Sequence, residues 1–214
     1  MQTLFDPFAE SYETWFETPV GAHVKACELD LVKRMLEPQS DELILDAGCG
    51  TGVFTEDINA QVIGVDLSEV MLRRAHQKMF DVAVADMLQL PFADNSFDKV
   101  VSITAIEFIR DGKQAVSELE RVLKPGGRLV IATLNGLSAW NRRRMRQARA
   151  GNHHIFTDAI FRTPADMRSL LGPDIELASA VHHEPDNDLN VMLRAEAFGR
   201  DAGLLSGAFL IARK

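Results

Sequence analysis

From residue 42 onward the chain alternates short apolar runs with amphipathic stretches, and polar or glycine-rich turns separate them. Such runs predict buried strands, here at 42–46, 61–65, 81–85, 98–103 and 127–133. The stretches between them predict helices at 51–58, 68–78 and 111–123. The tail adds a helix at 164–171, a strand at 175–183, a helix at 189–203 and a strand at 207–213. Alternation of this kind implies an α/β fold with parallel strands and right-handed crossovers. Ahead of it, Phe8, Tyr12, Trp15 and Phe16 recur at helical spacing. Val20 to Leu36, with Val24, Cys27, Leu31 and Met35, reads as an amphipathic helix.

The densest chemistry lies in Leu43-Ile44-Leu45-Asp46-Ala47-Gly48-Cys49-Gly50-Thr51-Gly52. A strand ends in a carboxylate, and three glycines at alternate positions follow. Glycine accepts positive φ and carries no Cβ, so such a turn brings backbone N–H groups close to a ligand. The next strand, Val62-Ile63-Gly64-Val65, ends in Asp66. A glycine-rich first turn with an acid at the second strand's tip is how doubly wound sheets hold a ribosylated cofactor. The dinucleotide fingerprint G-x-G-x-x-G/A fails, because its third position falls on Val53. A Walker loop fails too, since no lysine lies between Lys33 and Lys78.

The run D-x-G-x-G-x-G resembles motif I of the class I S-adenosylmethionine-dependent methyltransferases. Further blocks follow in order: Asp66-Leu67-Ser68, with Ser68 placed to cap a helix; Val82 to Ala85 ending in Asp86-Met87; Leu90 to Asp98; and Leu123-Lys124-Pro125-Gly126-Gly127-Arg128. Together, over roughly 43–134, they resemble the small-molecule methyltransferases grouped with ubiquinone and menaquinone biosynthesis enzymes. The resemblance implies a Rossmann-like, doubly wound, seven-stranded sheet, mostly parallel with its last strand antiparallel. Asp46 to Asp66 is about one helical turn shorter than that family leads one to expect, so the first helix should be short. The implied cofactor is S-adenosyl-L-methionine, with S-adenosyl-L-homocysteine as product. Asp46 would lie near its methionine end and the Gly48, Gly50, Gly52 backbone beneath it. Asp66 suits the vicinal ribose hydroxyls, Asp86 and Met87 the adenine edge, and Leu67 and Met71 its face. Thr104 and Ala105 stand where the family contacts the methionine moiety. Tyr12 either packs on the sheet with its aromatic neighbours or covers that end of the cofactor.

The chain has 214 residues, 46% hydrophobic and 25% charged, which suits a single soluble domain over 1–214. No apolar run approaches the ~20 residues of a membrane span, and Met1 to Glu10 lacks a signal peptide's pattern. With only Cys27 and Cys49, a reduced, cytoplasmic protein is expected, and no metal-ligand spacing is present. A net charge of −8 argues against nucleic acid as partner. Two segments lie outside the cofactor core: an N-terminal cap at 1–37 and an insertion at 137–172. The insertion carries Arg142, Arg143, Arg144, Arg146, Arg149, Arg162 and Arg168 against Asp158 and Asp166. That run is either a solvated helix face or an attractor for an anionic acceptor. With Trp140, His153, His154 and Phe156 beside it, the insertion is the expected acceptor lid. The expected activity is methylation of a small-molecule acceptor. The alternatives are a nucleic-acid or protein methyltransferase, or a cofactor-binding protein without transferase activity. No residue is marked as catalytic; Glu107, His153 and His154 are candidate bases. The acceptor and the oligomeric state are not legible.

Overall fold

The computed structural model describes residues 3–78, 81–149 and 156–214. Seven strands form one sheet: β1 (Leu43–Ala47), β2 (Gln61–Asp66), β3 (Asp81–Val84), β4 (Phe97–Ile103), β5 (Leu123–Leu134), β6 (Glu176–Ala180) and β7 (Phe209–Arg213). Six helices accompany them: α1 (Pro19–Leu36), α2 (Glu69–Ala75), α3 (Gly112–Val122), α4 (Ala139–Arg149), α5 (Pro164–Leu171) and α6 (Leu189–Asp201). The strand order is β3-β2-β1-β4-β5-β7-β6. β1 pairs in parallel with both β2 and β4, and β7 runs antiparallel between β5 and β6. This is the expected seven-stranded arrangement. The order reverses beside β1, and in such sheets ligands bind at the carboxyl ends of the strands flanking the reversal.

Alternation along the central strands divides the core between the two faces. Val101, Val130, Phe209 and Ile211 pack under Val24, Leu31, Val32 and Met35 of α1. Val100, Leu129, Ile131 and Leu210 pack under Val116 and Leu119 of α3 and Met167 and Leu171 of α5. Local chemistry starts the helices. Thr18 Oγ1 accepts from Gly21 N–H at 3.0 Å, with Pro19 at the first helical position. Ser68, Asp111 and Asp188 cap α2, α3 and α6, and Thr163 with Asp166 forms a capping box on α5. Among the described residues, no helix is long and apolar enough to cross a membrane.

Two expectations need correction. The helix at 51–58 is absent as an α-helix; one 3-10 turn, Thr55–Asp57, stands there. Gly48, Gly50 and Gly52 all have positive φ, so the chain is still turning through the loop where helix should begin. Only a few residues then remain before β2, and Val53, Phe54 and Ile58 fill the space by packing into the α1 side of the core. The aromatic stripe of Phe8 to Phe16 is likewise two 3-10 turns, Asp6–Phe8 and Thr14–Glu17. Edge-to-face contacts join its short hydrogen-bonded turns into one layer: Phe5 with Tyr12, Tyr12 with Phe16, Phe16 with Phe54, and Trp15 with Trp140.

Candidate functional site

A cavity of about 550 Å³ opens at the carboxyl ends of β1, β2 and β4. Asp46, Gly48, Gly50, Asp66, Leu67, Met71, Asp86, Met87, Thr104 and Tyr12 all line it. The structure thus brings together every site residue expected from the sequence except Gly52. Gly52 lies in the turn, where its N–H donates to the Cys49 carbonyl at 2.9 Å, so its part is to shape the loop.

The loop is latched to β2. Gly48 and Cys49 N–H both donate to the Val65 carbonyl, at 2.7 and 3.0 Å. Gly50 N–H donates to Asp66 Oδ2 at 3.0 Å, and Ser68 N–H to Asp66 Oδ1 at 2.8 Å. A Cβ on Gly48 would sit 2.4 Å from the Ala105 Cβ at the β4 tip, whereas one on Gly50 would meet nothing within 4 Å. The first glycine therefore permits close packing. The second keeps open the floor of the cavity, a cradle that a side chain would fill.

Asp46 lies at the back, 2% exposed. The Thr55 hydroxyl donates to its Oδ2, while its Oδ1 is buried without a partner. Burial pushes this carboxyl up to about 7, the Thr55 hydrogen bond opposes the shift, and nearby Asp66 adds to it. Asp66 is also raised by burial, against its backbone hydrogen bonds. An orphaned acid oxygen, a second acid at the β2 tip and an apolar bracket of Met71 and Met87 fit the amino, ribose and adenine parts of S-adenosylmethionine. Among the described residues, no group of three or more His, Cys, Asp or Glu side chains stands ready for a metal.

The N-terminal segment closes over this cavity. The Ser68 hydroxyl donates to Asp6 Oδ1 at 2.6 Å, and Phe5 meets Phe108 edge to face at 4.8 Å. Beyond Tyr12 lies a second chamber of about 600 Å³. The two cavities share Phe5, Tyr12, Phe54, Thr104 and Phe108. Burial raises the Tyr12 hydroxyl and holds it protonated, and the neighbouring Thr104 side chain opposes the shift. Thr104 has φ +49° and Val181, also in the second chamber's wall, has φ +63°. Positive φ in β-branched residues is strained, and such strain clusters at functional sites.

Residues the sequence did not single out complete the second chamber. Glu28 is 7% exposed on the buried stripe of α1, and it lines the chamber with Trp15, Trp140 and Arg144. A lone acid among Gly21, Val24, Leu31 and Met35 was the available signal. Of the expected basic run, Arg143 pairs with Asp186 at 2.6 Å and Arg142 with Glu184 at 3.8 Å. Arg162 is buried and donates to the Ile106 carbonyl at 2.9 Å, tying the insertion to the turn after β4. Among the described residues of the run, Arg144 alone combines a place in the chamber wall with a buried, unpartnered nitrogen, Nη1.

The candidate bases fare differently. Glu107 is fully buried and lines neither cavity; Leu134 N–H and the Thr133 hydroxyl donate to it at 3.4 and 3.3 Å. It is a packed acid under the β4–β5 tips, out of reach of an acceptor. His153 and His154 lie outside the described residues.

Burial pushes Glu107 up to about 7 and Glu28 up to about 8. Between the ordinary and raised values the folded chain holds protons the unfolded chain has lost. These acids therefore erode stability as pH climbs through that window. Glu107→Gln should raise Tm at about pH 8.5 by at least ~2–4 °C, the shift that 1 kcal/mol produces at this size. It should leave Tm at about pH 4.5 unchanged, where the wild-type acid is neutral. Calorimetry at the two pH values checks this, and an equal shift at both would refute it.

The matches to known proteins agree with this geometry. A family model described as a methyltransferase domain matches residues 45–131. An uncharacterized protein of Methanocaldococcus jannaschii is 33% identical over 132 residues, 62% of each chain. A demethylmenaquinone methyltransferase of Corynebacterium urealyticum is 38% identical over 133 residues, 61% of this chain and 57% of that one. The alignments thus span about 60% of these curated relatives. A solved S-adenosylmethionine-dependent methyltransferase from Thermotoga maritima, described as a possible histamine N-methyltransferase, superposes with a TM-score of 0.81. It is 25% identical, with 100% of this chain and 98% of that one covered. The glycine loop latched to β2, the strand order and these relatives lead to one conclusion: residues 45–131 carry the methyltransferase domain pattern, and the whole chain shares the fold of a solved S-adenosylmethionine-dependent methyltransferase.

Proposed function

We propose that the chain transfers the methyl group of S-adenosylmethionine to a small, anionic acceptor seated in the second chamber. The observation that carries this reading is the shared wall. Tyr12 and Thr104 border both cavities, so a cofactor in the first and an acceptor in the second meet there. The cofactor supplies an electrophilic methyl on a sulfonium. The residues of this chain supply position: Asp66 and Asp46 fix the cofactor, while Tyr12 and the flanking phenylalanines narrow the passage. Holding two reactants in line in a water-poor passage is itself a large source of rate.

Asp46, Gly48, Gly50, Asp66, Leu67, Met71, Asp86, Met87, Thr104 and Tyr12 are the proposed cofactor contacts, with Gly52 as a shaping residue. No protein side chain is assigned as a base. The chamber is walled by the chain's own aromatic rings and is of a size that suits a metabolite. That supports a small acceptor over a nucleic acid or a protein segment. The cap and the insertion, 1–37 and 137–172, both contribute to the chamber and act as its cover in this reading. Two free thiols, Cys27 and Cys49, support a reducing, cytoplasmic setting.

Calorimetric titration tests the cofactor. S-adenosylhomocysteine should bind, and NAD and ATP should not; binding of NAD alone would overturn the reading. Tryptophan emission tests the chamber, since Trp15 and Trp140 meet edge to face at 6.3 Å in its wall. Emission should shift when an acceptor enters, and a methylated product should appear by mass spectrometry.

A further inference from the structure

We propose that Arg144 and Glu28 form a clamp for the carboxylate of an aryl acid, so that the acceptor is an aromatic carboxylic acid. The inference rests on the methyltransferase reading above and adds the group that the second chamber recognises.

Three observations carry it. The first is an unsatisfied donor. Arg144 Nη1 is buried in the chamber wall with no hydrogen-bond partner. Leaving a buried charged donor unpaired is costly, and a guanidinium fork matches a carboxylate in shape and charge. The second is that the obvious internal partner does not take this donor. Glu28 lines the same chamber, yet no ion pair within 4 Å joins it to Arg144 among the described residues. The two groups sense each other electrostatically across the chamber without touching. The third is the aromatic setting. The guanidinium lies over Trp140 at 5.8 Å and over Phe156 at 5.1 Å, and Trp15, Phe8 and Phe16 complete the walls. A flat, apolar body bearing one anionic group satisfies all three.

The second member of the clamp acts as a neutral donor. Glu28 is faced by Arg144 of α4, Glu107 after β4, Glu196 of α6 and Tyr12 of the cap; the paired Arg143 and Asp186 share the chamber and Cys27 is its neighbour on α1. Burial outweighs the attraction of Arg144, and its carboxyl is pushed up to about 8. At neutral pH Glu28 therefore carries its proton and can donate O–H to the same carboxylate that Arg144 holds. Above that range Glu28 is ionised, repels an anion, and must take up a proton for the anion to enter.

Benzoate, benzamide and benzylamine serve as probes of anion, neutral isostere and cation. They are titrated calorimetrically into the full chain with and without S-adenosylhomocysteine. Benzoate should bind at least about tenfold tighter than the other two. At about pH 9 its binding should weaken and consume a proton, read as a dependence of the heat on the buffer's ionisation enthalpy. Arg144→Gln should lose benzoate by tenfold or more while keeping wild-type affinity for S-adenosylhomocysteine, which also shows that the fold is intact. Glu28→Gln retains a donor without a titrating proton, so it should keep benzoate binding and lose the pH dependence. Benzylamine binding in preference to benzoate, or benzoate affinity untouched in Arg144→Gln, would overturn the clamp. Failure of S-adenosylhomocysteine to bind the wild-type chain would instead strike the methyltransferase reading, because the benzoate titrations without it are read separately.

Discussion

Asp66→Ala is expected to weaken S-adenosylhomocysteine binding at least about tenfold, because two charge-assisted hydrogen bonds to the ribose, each worth about 1.5–3 kcal/mol, are lost together. The carboxylate already accepts from Gly50 and Ser68 N–H, which aims it and leaves its remaining lone pairs for the ligand. The same bonds give Asp66 a part in holding the loop, so the variant must be read against a control. An analogue of S-adenosylhomocysteine lacking the ribose 2′-hydroxyl separates the two roles. Wild type should prefer the intact cofactor to the deoxy analogue, and Asp66→Ala should bind both alike. Were the preference to survive in the variant, the acid would be a loop latch alone. Asp86→Ala should cost less, since Asp86 is exposed and its contact competes with water.

Phe209→Ala should cost the fold about 3–5 kcal/mol. Phe209 is fully buried at the start of β7 and is paired with Leu134 and Ala180. Its ring fills the core between the sheet and α1. Domains are stable by only about 5–15 kcal/mol, so this single truncation removes a large share. Urea denaturation checks it: the midpoint should fall with the slope unchanged. A midpoint within error of wild type would mean that the β6–β7 end contributes little to the cooperative core.

Much of the first cavity was legible along the chain because its chemistry is local. The three glycines, Asp46 and Asp66 stand at the ends of β1 and β2, and strand ends follow from apolar patterning. Parallel pairing then sets those ends side by side, as Asp46 with Gly64 and Asp66 with Val84 in register. The seven-strand arrangement came with the family resemblance, and the antiparallel β7 agrees with it. Residues 51–58 hold one 3-10 turn and no α-helix, because the glycine turn consumes residues that a helix would need, and apolar periodicity does not report that.

The second chamber was decided by tertiary structure alone. Glu28, Arg144 and Val181 come from α1, α4 and the end of β6, and nothing in their spacing in sequence joins them. Four of the insertion's arginines occupy adjoining or near-adjoining positions, 142–144 and 146, yet they meet different fates. Arg143 finds Asp186 at the surface, while Arg144 turns toward Trp140 and Phe156. Helix phase decides which side each side chain leaves from, and the surroundings that α4 packs into decide what it meets. The sequence by itself thus determined the sheet's strands, the glycine loop and the acids that line the first cavity, because these follow from local pattern and parallel register. Only the packing of α1, α4 and the aromatic cap against one another determined the second chamber, because burial and desolvation of Glu28 and Arg144 exist only once distant segments close over them.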